Sequence, residues 1–142
     1  IVTDLERLGD EAVNISEKTL TLLGAPLFQP LVDIPRMGQL VVAMLRDCLQ
    51  AFVQSDAPQA LDVIHRDSDV DALYDKVFHD VMAQLIAQGT VEEEGMRRGT
   101  SLILISRYLE RSGDHAVNIA TRAFFMITGK RLPDLRVPRA NA

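Results

Sequence analysis

Glu110, Asp114 and Asn118 stand at i, i+4 and i+8, so in a helix their oxygen-bearing side chains line one face. The same trio occurs earlier as Glu6, Asp10 and Asn14. Each lies in a longer repeated stretch, Leu5-Glu6-Arg7-Leu8-Gly9-Asp10-Glu11-Ala12-Val13-Asn14-Ile15 and Leu109-Glu110-Arg111-Ser112-Gly113-Asp114-His115-Ala116-Val117-Asn118-Ile119. The copies differ only at Leu8/Ser112 and Glu11/His115. Asp67 and Asp71 form a further i, i+4 acidic pair, with Asp69 and Asp75 beside them. If helix packing brings Asp67 and Asp71 beside Glu110 and Asp114, four carboxylates meet and need positive charge. Oxygen-only ligands suit hard ions such as Mg²⁺, Ca²⁺, Mn²⁺ or Fe³⁺. The competing reading is a solvated acidic face, balanced at i+3 by Arg107 with Glu110, Arg111 with Asp114 and Arg7 with Asp10.

No catalytic signature accompanies these carboxylates. The sequence has no P-loop, no Gly-x-Ser-x-Gly, no paired-cysteine zinc motif, no His-Glu-x-x-His and no Glu-x-x-His of the di-iron bundles. With no nucleophile or base identified, the chain reads as a non-enzyme. His65, His79 and His115 are scattered and expected at the surface, His115 being the nearest to the acidic trio. Cys48 falls on an apolar helical stripe and is expected in the core. Gly113, in mid-helix, costs about 1 kcal/mol against alanine and points to close approach of a neighbouring helix.

The elements that would position these groups are all helices. A first helix is expected from Ile1 to about Leu23, on the stripe Ile1, Leu5, Leu8, Ala12, Ile15 and Leu22, with Gly24 just past its end. Pro26, Pro30 and Pro35 mark a linker. A second helix starts near Asp33 as N-cap and runs to about Ser55 on Met37, Val41, Met44, Cys48 and Phe52. A third starts at Asp56-Ala57-Pro58 and runs to about Gln88 through Ile64, Val70, Leu73, Val77, Val81 and Leu85. Thr90 and Glu93 form a capping box for a long fourth helix that ends at Gly129. Taking Leu109 as heptad position a, its seam is Leu102, Ile105, Leu109, Ser112, Ala116, Ile119 and Ala123. Glu110, Asp114 and Asn118 then point outward, so a cation site there would be shallow and wet. No segment alternates as a strand does. The expected fold is all-α: an antiparallel three-helix bundle over 33–129, plus one additional N-terminal helix (1–24) from a repeated bundle, a linker (25–32) and a mobile tail (130–142).

A chain of 142 residues can bury a core as one domain. Its formal charge of -5 argues against nucleic acid as a partner. No apolar run approaches the ~18 residues of a membrane span, so no direct membrane insertion is expected. One cysteine excludes an internal disulfide and suits a reducing, cytoplasmic compartment. There is neither a basic signal-peptide start nor an initiator Met, and the apolar stripe begins uncapped at Ile1, which reads as a longer protein cut near this helix. That stripe should pack on its own bundle or on a second copy.

The repeated Leu-Glu-Arg-x-Gly-Asp-x-Ala-Val-Asn-Ile resembles the signature of the PhoU family, and Asp67-Ser68-Asp69-Val70-Asp71-Ala72-Leu73-Tyr74 resembles the acidic segment of that family's middle helix. The resemblance implies two tandem three-helix bundles. The first helix here would be the last helix of the first bundle, and the other three the second bundle. It implies metal bound through Glu/Asp-x-x-x-Asp pairs: Glu110 with Asp114 and Asp67 with Asp71, joined by Asn118, and the half-site Glu6 with Asp10. Iron, manganese, magnesium or zinc are the metals implied. Ser112 departs from the family's larger apolar residue. The implied function is a metal-binding, non-enzymatic adaptor in bacterial phosphate homeostasis. It would restrain the phosphate-starvation response by linking a phosphate transporter's ATPase subunit to a sensor histidine kinase, as a homo-oligomer. The alternative is a cytoplasmic regulatory domain of a sodium–phosphate cotransporter or other ion-transport protein.

Overall fold

The structure, a computed structural model, describes residues 1–24, 33–87 and 92–132. The linker prolines Pro26 and Pro30, the capping residue Thr90 and the tail beyond Leu132 lie outside the described residues. The helices are α1 (Val2–Leu20), α2 (Asp33–Gln54), α3 (Ala57–His65), α4 (Asp67–Ala87) and α5 (Glu93–Thr128), with no strand among the described residues.

The expected third helix is broken in two at Arg66. Arg66 joins them without a loop: its N–H donates to the Asp62 carbonyl, and its own carbonyl accepts from the Asp69 and Val70 amides at 3.1 and 3.3 Å. Its guanidinium reaches Asp47 of α2 at 2.7 Å and also pairs with Asp62, which ties the joint down.

Helix boundaries follow local chemistry. Ser55 takes a left-handed φ of 56° between α2 and α3. Asp56 then caps α3, its Oδ1 accepting from the Gln59 amide at 2.9 Å. Gly129 closes α5 at φ 69°, its amide donating to the Phe125 carbonyl at 2.8 Å. Two expected caps differ. The N-cap of α5 is Glu92, without a side-chain bond, and Asp33 gives its carboxylate to Lys76 of α4.

α5 is the central helix and packs against all four others; among the described elements α1 packs only on α5. Met37, Val41, Met44, Cys48 and Ala51 of α2 meet Ala60 and Val63 of α3, Val70 of α4 and Ala116, Val117, Ile119 and Ala120 of α5 in the main core. A second cluster, Val77, Val81 and Leu102, continues it between α4 and α5. The α2 stripe is as expected except at Phe52, which is exposed while Ala51 turns inward. Cys48 is fully buried, and burial pushes its thiol up to about 11, consistent with a core residue.

Candidate functional site

Close packing builds the carboxylate face. Gly113 lets α4 approach α5: a Cβ added there would stand 3.4 Å from Val70 Cγ1. Further along, Arg107 of α5 lies over the Tyr74 ring of α4, 5.8 Å from its centroid. These two contacts set residues 70–74 of α4, Asp71 among them, antiparallel alongside residues 107–113 of α5. The direction expected for Glu110 is corrected here. It does not point to solvent but is 2% exposed, because α4 covers the flank that a one-seam heptad leaves bare. Arg107 Nη1 donates to Glu110 Oε2 at 2.5 Å. Asp67, Asp71, Asp114 and Asn118 are half-buried, so the whole set is less open than expected.

These oxygen donors suit a hard cation in type. As arranged, no three His, Cys, Asp or Glu side chains among the described residues are grouped to hold a metal ion. Glu110 already gives one carboxylate oxygen, Oε2, to Arg107.

The first copy is differently placed. Glu6 and Asp10 are exposed and Asn14 half-buried. Gly9, the counterpart of Gly113, has nothing within 4 Å of an added Cβ. Leu5, Ala12 and Val13 are exposed, whereas their counterparts Ala116 and Val117 are buried and Leu109 partly so. The expected stripe of α1 therefore divides. Ile1 and Leu8 pack into the main core and Leu22 against the second cluster, while Leu5 and Ala12 face water.

Between α1 and α5 lies a polar seam that the sequence reading missed. Asp4 is 4% exposed and Glu11 2%. Arg122 donates to Asp4 Oδ2 at 2.6 Å, and Asp4 Oδ1 lies 3.3 Å from His115 Nδ1 and 3.5 Å from Asn118 Nδ2. Arg111 pairs with Glu11 at 3.0 Å, instead of the expected Asp114, and no ion pair joins Arg7 to Asp10. Glu11 Oε2 is buried with no hydrogen-bond partner among the described residues. Thr21 and Ser101 hydroxyls meet at 3.3 Å, so the two helices run antiparallel. His115 is thus a buried seam residue, 7% exposed, and not a surface histidine; His65 and His79 are exposed as expected. Burial alone would raise the Asp4 carboxyl, but the His115 contact and the Arg122 charge, with the amino terminus, outweigh it and hold it below its ordinary value. The available signal was spacing: Ile1, Asp4, Leu8, Glu11 and Ile15 step by three and four. Both positions that distinguish the two motif copies, 8/112 and 11/115, lie in or beside this seam.

A central helix bearing one copy of a repeat, packed antiparallel on the helix bearing the other, with carboxylates gathered beside the second copy, defines an all-α repeat-bundle protein of the PhoU class. The PhoU domain family matches residues 34–123. A protein of Clostridium acetobutylicum described as a phosphate-specific transport system accessory protein PhoU homolog is 35% identical over 132 residues, covering 93% of this chain and 58% of its own length. A protein of Caulobacter vibrioides with the same description is 36% identical over 137 residues, covering 96% and 58%. The crystal structure of PhoU from Pseudomonas aeruginosa superposes with a TM-score of 0.82 at 31% identity, over 91% of this chain and 60% of that one. That of the phosphate transport system regulatory protein PhoU from Streptococcus pneumoniae gives 0.79 at 29%, over 92% and 60%. The chain belongs to the PhoU family, and it spans about three-fifths of the length of these relatives.

Proposed function

We propose that this chain acts as part of a PhoU-type accessory protein of a phosphate-specific transport system. It works in the cytoplasm as a non-enzymatic adaptor, restraining the phosphate-starvation response by contacting the transporter's ATPase subunit and a sensor histidine kinase. The observation that carries the reading is the antiparallel packing of α1 on α5, two copies of one motif, within a fold that follows solved PhoU structures across nine-tenths of the chain. No helix among the described residues is long and apolar enough to cross a membrane, which agrees with an accessory role. In this reading Asp67, Asp71, Glu110, Asp114 and Asn118 form a cation-responsive face, and Glu6 with Asp10 a second half-site.

The test is genetic. The protein that carries this chain, expressed in a bacterium lacking its own PhoU, should silence a phosphate-starvation reporter when phosphate is plentiful. It should also co-purify with the transporter ATPase subunit and the sensor kinase. Stable expression with a fully active reporter and neither partner retained would sink the proposal.

A further inference from the structure

We propose that Glu11 and His115, counterparts in the two copies of the motif, decide which motif helices can pair: they admit α1 on α5 and reject α1 on a second α1 or α5 on a second α5. The copies differ at only two motif positions, so each helix has a near-identical alternative partner in every other molecule. The contacts Asp4–Asn118, Glu11–Arg111 and Thr21–Ser101 share one antiparallel register, in which Gly9 stands level with Gly113. These glycines are the same motif position, so α1 and α5 meet about a local pseudo-twofold axis. Exchanging one helix for a copy of the other therefore replaces each side chain by its motif counterpart in the same register.

In that register Asp4 faces position 115. On α5 this is His115, whose Nδ1 lies 3.3 Å from Asp4 Oδ1, and a histidine nitrogen can donate a hydrogen bond. On a second α1 it is Glu11, and an ionised carboxylate offers Asp4 only acceptors and like charge. A symmetric pair makes this clash on both sides of its axis, where Asp4 is 4% exposed and Glu11 2%. The opposite pairing fails for another reason. Arg111 now pairs with Glu11 at 3.0 Å, but on a second α5 it would face His115, and each Arg111 would lose its acid. The other partners of Asp4 do not discriminate, because Asn118 has Asn14 as its counterpart and Arg122 has Lys18. Stability alone does not account for Glu11. Its Oε2 is buried without a hydrogen-bond partner among the described residues, an unfavourable state that suits a role in choosing partners.

The 142-residue protein tests both contacts. Amide hydrogen exchange reads how firmly α1 is docked, with α2–α5 as internal reference. His115→Glu should speed exchange along α1 about tenfold, and the effect of Asp4→Asn should then change sign. It loosens α1 in the wild type but tightens it in His115→Glu, where it removes one of two facing acids. Asp4→Asn that loosens α1 in both backgrounds overturns the proposal. Homotypic pairing is read through Leu8→Cys, because position 8 lies beside the axis on the inner side of α1 and Cys48 is fully buried. Two further changes are compared in that background under mild oxidation. Glu11→His places a histidine opposite Asp4 of a second α1, whereas Arg111→Glu also loosens α1 from α5 but leaves the acid at position 11. Interchain disulfide should be about tenfold more abundant with Glu11→His than with Arg111→Glu. Equal yields in the two overturn the proposal. Should His115→Glu fail to fold, the cross-linking comparison decides alone.

Discussion

Gly9 and Gly113 occupy the same position in the two copies of the motif, and the space around each decides how large a side chain it can accept. Glycine in a helix interior costs about 1 kcal/mol relative to alanine. At Gly9 a methyl group meets nothing within 4 Å, so Gly9→Ala should stabilise the 142-residue chain by about that amount. At Gly113 the methyl would meet Val70 Cγ1 and Cγ2 at 3.4 and 3.7 Å, ordinary contact distances, so Gly113→Ala should gain a similar amount. Gly113→Leu would force α4 off α5 and cost several times more. Denaturant unfolding of the three variants checks this, and a Gly113→Leu variant as stable as Gly113→Ala would mean that α4 does not pack closely on α5 at this point. The need for a notch was legible at Gly113, because a mid-helix glycine in an otherwise helical pattern asks for a reason. The direction of Glu110 was not. A heptad assigns one seam to one helix, whereas α5 carries one seam toward α2, α3 and α4 and another toward α1, and almost no flank of its middle stays outside.

At the scale of elements, α1 depends on a few buried charges in a way the rest of the bundle does not. Its helical partner among the described elements is α5 alone, and Asp4 is its most connected polar group. The folded state holds the Asp4 carboxyl below its ordinary value of 3.8. A depressed carboxylate contributes stability that is fully present above that ordinary value and is lost as pH falls through the lower, folded one. The α1–α5 seam should therefore loosen below about pH 4, ahead of the apolar main core. Hydrogen exchange along α1 against pH measures this. Asp4→Asn should expose α1 at neutral pH and flatten its acid limb, and an unchanged acid limb in that variant would assign the loosening to another group. Periodicity made four helices legible to within a few residues at most ends, because their apolar stripes are regular. It failed at Arg66, where nothing in the pattern of Ile64, Val70 and Leu73 records a break. It also passed over Asp4 and Glu11, because a search for apolar residues at helical spacing discards acids that occupy the same steps.

For the molecule as a whole, the unequal surroundings of the two copies decide what α1 still lacks. Val2, Leu5, Val13 and Leu20 leave a line of exposed apolar side chains on α1, Val2 at 80% and Val13 at 57%. Their counterparts at Leu109, Val117 and Phe124 are wholly or partly buried. A motif that buries these positions in one copy has the chemistry to bury them in the other, and a contiguous apolar flank of this kind is rarely left in water. In the 142-residue chain the available cover is a second molecule, so the chain should self-associate through α1. Light scattering should report a mass above the monomer that falls on dilution. Val13→Asp and Leu5→Asp should each return the monomer mass without lowering the stability of the α2–α5 bundle, since neither side chain is among its core residues. Glu6 and Asp10 lie on the same exposed helix and are expected to gain amide protection in the associated form, which would place the first acidic pair at a contact and not in bulk water. A strict monomer at all concentrations, with rapid exchange along this flank, would mean that α1 holds its place through the Asp4 and Glu11 seam alone and that its outer face is stable in solvent.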